Sequence, residues 1–118
     1  MVLIKDNHIR LVKGISEAVQ LARAKVGQDI KIEVETTCRE EVIEALKSGA
    51  DMIMLDNMPL DEMRDTVVLI NGKVPLEISG NVNLQMAKEY SNLGVDYISV
   101  GSLTHSFRSL DLSMDIIC

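Results

Sequence analysis

The chain has 118 residues, a formal net charge of −6 and 3% aromatic residues, a balance that argues against a nucleic-acid partner, because a phosphate backbone repels such a surface and few aromatic rings are available for stacking. Small phosphates held at a local site are not excluded. Hydrophobic residues make up 47%, enough for a core, yet the apolar runs fall far short of a membrane span and no basic-then-apolar leader opens the chain; Cys38 and Cys118 are too few and too far apart for a disulfide framework or zinc site, so a reducing cytoplasm is the expected setting.

The first element is the apolar run Val2-Leu3-Ile4, read as a strand that ends at Lys5-Asp6-Asn7-His8. From Ser16, the apolar positions Ala18, Val19, Ala22 and Val26 recur at near-helical spacing, with Gly27 as a stop. Ile30-Lys31-Ile32-Glu33-Val34 predicts a second strand closed by Glu35. Thr37-Cys38-Arg39-Glu40 fits a capping box, and Val42, Ile43 and Leu46 continue a helix to Gly49. Met52-Ile53-Met54-Leu55 predicts a third strand before Asp56. Pro59 suits a first helical turn, and Leu60, Met63, Val67 and Ile70 follow it to Asn71-Gly72. Leu76-Glu77-Ile78 runs to Ser79, a helix carried by Leu84, Ala87, Tyr90 and Ser91 runs to Gly94, and Tyr97-Ile98-Ser99-Val100 runs to Gly101. The alternating tail Leu110-Asp111-Leu112-Ser113-Met114-Asp115-Ile116 suggests a last strand or edge segment.

With one helical segment between consecutive runs, the chain reads βαβαβαβαβ, the pattern of parallel strands with crossover helices. Glu35, Asp56, Ser79 and Gly101 close successive runs at intervals of 21, 23 and 22 residues, and strand carboxyl ends carry the chemistry in such folds. Gly49-Ala50-Asp51-Met52-Ile53 and Gly94-Val95-Asp96-Tyr97-Ile98 share Gly-x-Asp-x-Ile 45 residues apart. Each Gly would close a helix and each Asp would sit in a turn at the opposite, structural end of the strands. A closed eight-stranded barrel needs roughly 200 residues or more, so the expectation is either a piece of a βα barrel belonging to something longer or a small open doubly wound domain.

Four functional side chains in a row after the first strand mark Lys5-Asp6-Asn7-His8 as a site, although His8 reads equally as a structural histidine. Glu33 and Glu35 point the same way, inward in a barrel, where carboxylates need a cation, a metal or a hydroxyl-rich ligand. For Glu33 the plainer reading is a partner lysine deeper in the barrel. Asp56-Asn57 follows four apolar residues. Ser79-Gly80-Asn81 and Gly101-Ser102 are small enough for backbone N–H groups to approach an anion, and two such turns on neighbouring strands suggest a phosphate cradle.

Together Lys5-Asp6-Asn7-His8-Ile9, Glu33-Val34-Glu35, Met54-Leu55-Asp56-Asn57-Met58, Glu77-Ile78-Ser79-Gly80-Asn81-Val82 and the stretch from Val95 to Ser106, which includes Ser99-Val100-Gly101-Ser102-Leu103-Thr104-His105, resemble quinolinate phosphoribosyltransferase, the decarboxylating nicotinate-nucleotide pyrophosphorylase of NAD biosynthesis. The resemblance places residues 1–118 in the carboxyl-terminal part of that family's α/β barrel domain. It implies about five parallel strands with crossover helices, lacking the first strands and the amino-terminal domain, with Met1 an internal methionine.

The implied reaction joins quinolinate to phosphoribosyl diphosphate, giving nicotinate mononucleotide, pyrophosphate and carbon dioxide, with Mg2+ on the diphosphate. By resemblance, Glu35 and Asp56 approach the ribose hydroxyls and magnesium and stabilise positive charge on the ring. Lys5 offers its cation to the quinolinate carboxylates or the leaving diphosphate, with Asn7 beside it among the substrate-binding residues. Ser79, Gly80, Asn81, Gly101, Ser102 and His105 hold the ribose phosphate. The resemblance also implies a homo-oligomeric, cytoplasmic enzyme whose site is completed by a partner subunit, so the isolated chain is expected to be inactive. Three other readings stay open at this point: a molybdenum-associated homologue with another acceptor, an aldolase or isomerase with a Schiff base on Lys5, and a non-catalytic truncated product.

Overall fold

In the computed structural model, which describes residues 1–105 and 109–117, the alternation of apolar and functional residues resolves into five parallel strands. They are β1 (Val2–Ile4), β2 (Ile32–Thr36), β3 (Met52–Asp56), β4 (Leu76–Ser79) and β5 (Tyr97–Ile98), hydrogen-bonded in the order β1-β2-β3-β4-β5. A doubly wound sheet reverses its strand order at a switch point. This order never reverses, so the chain is an arc of a βα barrel and the doubly wound alternative falls.

Period-two alternation sends successive strand residues to opposite faces. Ile4, Ile32, Val34, Ile53, Leu55, Leu76 and Ile78 join one buried cluster with residues of the helices, among them Val19, Val42, Met63 and Tyr90. Fully burying such aliphatic side chains contributes about 1.5–3 kcal/mol each. The intervening residues Glu33, Glu35, Met52, Met54, Asp56, Glu77 and Ser79 therefore share the other face, which in a barrel is the interior.

The crossovers are α2 (Ile15–Val26), α3 (Arg39–Lys47), α4 (Leu60–Ile70) and α5 (Leu84–Tyr90), with a further short helix, α1 (Asp6–Arg10), between β1 and α2. The first crossover thus holds two helical segments where the sequence predicts one, because residues 6–10 wind up directly after Lys5 instead of forming a loop. The expected capping box shifts by one residue. Cys38 is the N-cap of α3, so Glu41 rather than Glu40 occupies the third helical position, and its Oε2 accepts from the Thr37 N–H at 2.6 Å and from Thr37 Oγ1 at 3.0 Å. Pro59 is likewise the N-cap of α4 rather than part of its first turn.

At the amino ends of the strands the repeated Gly-x-Asp-x-Ile has one geometry in both copies. Gly49 and Gly94 take φ of +78° and +86°, conformations that only glycine adopts cheaply. Asp51 Oδ2 accepts from the Ile32 N–H at 2.7 Å, and Asp96 Oδ2 accepts from the Leu76 N–H at 2.8 Å, so each aspartate pins the start of the preceding strand. Arg23 adds an ion pair to Asp51 and donates to the carbonyl of Ile30. Burial pushes the Asp51 carboxyl up, but the hydrogen bonds from Arg23 and Ile32 outweigh it and hold the group below its ordinary value.

The alternating tail is a correction. Residues 109–117 form no strand, and Leu110, Leu112, Met114 and Ile116 are all exposed. Alternation makes a strand only where an edge takes its backbone bonds and a core takes its apolar side, and among the described residues neither meets this segment.

Candidate active site

The carboxyl ends of β1, β2 and β3 bring the first group together. Lys5 stands one residue past β1, and its Nζ lies 3.3 Å from Oε2 of Glu35, whose side chain is 12% exposed. Glu35, in β2, is in register with Met54, and Asp56, the last residue of β3, is in register with Ser79. Glu35 and Asp56 line one cleft of about 280 Å³ together with Asp6, Arg10, Thr37 and Glu41. Asp6 and Arg10 enter it because α1 is helical: at i, i+4 they face one way and pair at 3.4 Å. Sequence reading missed Arg10, and the signal that could have found it is this spacing directly after the strand.

Of the four carboxylates on this cleft, Glu35 and Asp56 at the strand ends suit a hard cation such as Mg2+, which is held by one or two carboxylates together with substrate phosphates and water. Among the described residues no group of three or more His, Cys, Asp or Glu could hold a metal alone. The donor set therefore fits an ion that arrives with a phosphate ligand better than a resident one.

The second group sits after β4 and β5. Gly80 has φ of +91°, and a Cβ there would overlap the Asn57 carboxamide, so glycine is required on both counts. Asn81, Asn83, Gly101, Ser102 and His105 line a second cleft of about 360 Å³, in which the residues after β4 meet the 3-10 turn Gly101–Leu103. Ser79 and Gly80 lie outside that lining, but the Ser79 carbonyl accepts from the Asn57 N–H at 3.1 Å. That bond ties the tip of β3, which carries Asp56 of the first cleft, to the tip of β4, which leads to Asn81 of the second.

One layer deeper on the interior face, Ser99 Oγ donates to Glu77 Oε1 at 2.6 Å. Glu33 is 2% exposed, and its Oε1 is buried without a hydrogen-bond partner. Burial first, then the charge of Glu77 and a hydrogen bond to it, push the Glu33 carboxyl up to about 7. Among the described residues no lysine or arginine forms an ion pair with it, so the expected lysine partner does not appear there.

His8 takes the structural role, because its Nδ1 accepts from the Lys5 N–H at 2.9 Å. Asn7 is exposed on α1, gives its backbone N–H to Asp6 Oδ1 at 2.7 Å, and lines neither cleft. Ser106 and Cys118 fall outside the described residues.

The model of a family described as quinolinate phosphoribosyl transferase, C-terminal domain, matches residues 1–115. The chain is 44% identical over 115 residues to a probable nicotinate-nucleotide pyrophosphorylase (carboxylating) of Bacillus subtilis, covering 98% of this chain and 40% of that protein. It is 43% identical over 123 residues to a protein of the same description from Methanocaldococcus jannaschii, covering 98% and 43%. Among solved structures, NadC from Streptococcus pyogenes superposes with a TM-score of 0.87 at 40% identity, covering 97% of this chain and 40% of that one. The chain therefore spans about two fifths of the length of these relatives.

Proposed function

The chain belongs to the quinolinate phosphoribosyl transferase C-terminal domain family, and from that membership we propose that it supplies the ribose- and phosphate-binding half of a nicotinate-nucleotide pyrophosphorylase. The reaction joins quinolinate to phosphoribosyl diphosphate and releases pyrophosphate and carbon dioxide, leaving nicotinate mononucleotide. The observation that carries the reading is the convergence of Glu35 and Asp56 on one cleft, with Lys5 bridged to Glu35 and the turn of residues 79–81 at the adjacent strand end.

Loss of pyrophosphate from the anomeric carbon builds positive charge on the ribose ring. Carboxylates held by strand ends meet that charge without having to reorganise, which is the most effective form of electrostatic catalysis. Glu35 and Asp56 fill that role and also accept hydrogen bonds from the ribose hydroxyls. The same two carboxylates would offer hard oxygen donors to a Mg2+ ion arriving with the diphosphate, which would supply charge neutralisation for the leaving group. Lys5, oriented by Glu35, presents its ammonium to the quinolinate carboxylates or to the departing diphosphate. Ser79, Gly80, Asn81, Gly101, Ser102 and His105 seat the 5-phosphate. Asn7 is assigned to substrate binding through the family resemblance, as a near neighbour of Lys5 in sequence. The functional enzyme is a homo-oligomer in which a partner subunit completes the site.

Ribose 5-phosphate is expected to bind the isolated chain saturably in a calorimetric titration, in competition with inorganic phosphate. Quinolinate, phosphoribosyl diphosphate and Mg2+ together are expected to give no nicotinate mononucleotide, because the acceptor side is incomplete. Absence of sugar-phosphate binding would sink the assignment of this half. Product formation by residues 1–118 that disappears in Asp56→Ala would instead show that no partner segment is needed.

A further inference from the structure

The tips of β3 and β4 are tied by one side chain that the roles above leave unused. Asn57 follows Asp56 directly and has a left-handed backbone, with φ of +51°, a conformation uncommon for a residue with a Cβ, although asparagine is among those that tolerate it best. That conformation turns the side chain back between the two strands. Its Nδ2 donates to Asp56 Oδ2 at 2.8 Å, and its Oδ1 accepts from Asn81 Nδ2 at 3.0 Å. Its carboxamide also fills the space that a Cβ on Gly80 would occupy, and its own N–H bonds the Ser79 carbonyl at 3.1 Å. Asn81 is left-handed too, with φ of +52°. The two asparagines therefore meet head to head across neighbouring strand ends, with a carboxylate at one end of the chain of hydrogen bonds and the Gly80 turn at the other.

We propose that Asn57 is a positioning residue that couples the orientation of the Asp56 carboxylate to the turn of residues 79–81, so that an anion seated on that turn orders the group facing the sugar. The proposal rests on the ribose and phosphate assignments above and adds a link between them. A carboxamide suits the task because it donates to a carboxylate at one end while accepting from an amide at the other. Aspartate could not donate to Asp56 and would place like charges together. Alanine would keep neither hydrogen bond and would strain the left-handed backbone. Glycine removes both hydrogen bonds while keeping that backbone accessible, and is the informative replacement.

The first measurement needs no ligand. The Asn57 side-chain NH2 resonances of the full chain, resolved by NMR, are expected to exchange slowly with solvent. In Asn81→Gly, which removes the far end of the relay, that protection is expected to fall. Unchanged protection in Asn81→Gly would overturn the relay. The second measurement is a pair of calorimetric titrations, with inorganic phosphate and with ribose 5-phosphate, on the wild-type chain, Asn57→Gly, Asn81→Gly and the double variant. Losing a hydrogen bond that orients a charged group costs roughly tenfold in affinity. Asn57→Gly is therefore expected to lower the preference for ribose 5-phosphate over inorganic phosphate by about that factor, and the double variant, although Asn81→Gly weakens both ligands, is expected to lose no more of that preference than Asn57→Gly alone. A purely structural role would weaken both ligands alike and leave the preference unchanged, and that result, or additive losses of preference in the double variant, would overturn the proposal. If neither ligand binds the wild-type chain, the phosphate reading of the site fails, while the exchange measurement still decides the Asn57 to Asn81 link independently.

Discussion

Exchanging Asp56 for alanine is expected to lower phosphoribosyl transfer about a thousandfold in an enzyme in which residues 1–115 stand in place of the matching segment of the Bacillus subtilis relative. A unit charge about 4 Å from the developing ring cation, at an effective dielectric near 20, is worth roughly 4 kcal/mol, which corresponds to about three decades of rate. The position of Asp56 supports the full effect: it closes β3 on the interior face, in register with Ser79, and shares its cleft with Glu35. Because Glu35 remains, the variant keeps one carboxylate and is expected to retain residual turnover. Asp56→Asn preserves size and some hydrogen bonding, so a loss comparable to that of alanine would assign the effect to charge. Steady-state kinetics on both variants, with melting curves to establish that they fold, separate the two contributions. A fall of less than tenfold in Asp56→Ala would remove Asp56 from the reaction.

Glu33 is expected to make stability fall as pH rises. Its carboxyl is pushed up from 4.5 to about 7, first by burial and then by Glu77. Between those two values the folded chain retains a proton that the unfolded chain has released. The folded state is therefore favoured at the acid end, and that advantage is lost as pH climbs through the folded value. At about 1.4 kcal/mol per pH unit, the change across this window is on the order of 3 kcal/mol. Glu33→Gln keeps the size of the side chain and cannot ionise, so it is expected to flatten this part of the profile and to be more stable than the wild-type chain at pH 8. Urea unfolding at pH 5, 6, 7 and 8 measures both curves. Equal slopes would mean that Glu33 is not the group that titrates.

The fold was legible wherever one residue type had one physical use. Apolar runs of three to five residues ending in a charged or small residue gave all five strands, since buried parallel strands need nearly continuous hydrophobicity. Gly27, Gly49 and Gly94 marked helix ends or the turns just beyond them. The repeated aspartates were readable as turn residues because the same spacing recurs before β3 and β5. Local competition was not legible. Asp6-Asn7-His8 are individually indifferent helix formers, and only the i, i+4 pairing of Asp6 with Arg10 and the His8 bond to Lys5 hint that they wind into α1. The tail misled because alternation records a strand's preferred faces and says nothing about whether a sheet edge is there to receive them.

For the site, the strand ends pointed to Glu35, Asp56 and Lys5 as neighbours, because consecutive parallel strands lying side by side bring their carboxyl ends to one edge of the sheet. What sequence could not rank was the interior face below them. Glu33 and Glu35 differ by one pleat repeat, yet one lines a cleft and pairs with Lys5 while the other is buried against Glu77. That distinction depends on how far up the barrel each residue sits. Asn57 was singled out beside Asp56, but its bridge was not legible for a related reason: it arises from a left-handed backbone meeting Asn81 across two strands, 24 residues away in sequence.

The most direct measurement is product formation by the enzyme carrying residues 1–115 in the Bacillus subtilis relative, supplied with quinolinate, phosphoribosyl diphosphate and Mg2+. Nicotinate mononucleotide and pyrophosphate released in equal amounts, with both lost when either substrate is withheld, is the expected result. A chimera that melts cooperatively and binds ribose 5-phosphate, yet releases neither product, would contradict the assignment of this chain to quinolinate phosphoribosyl transfer.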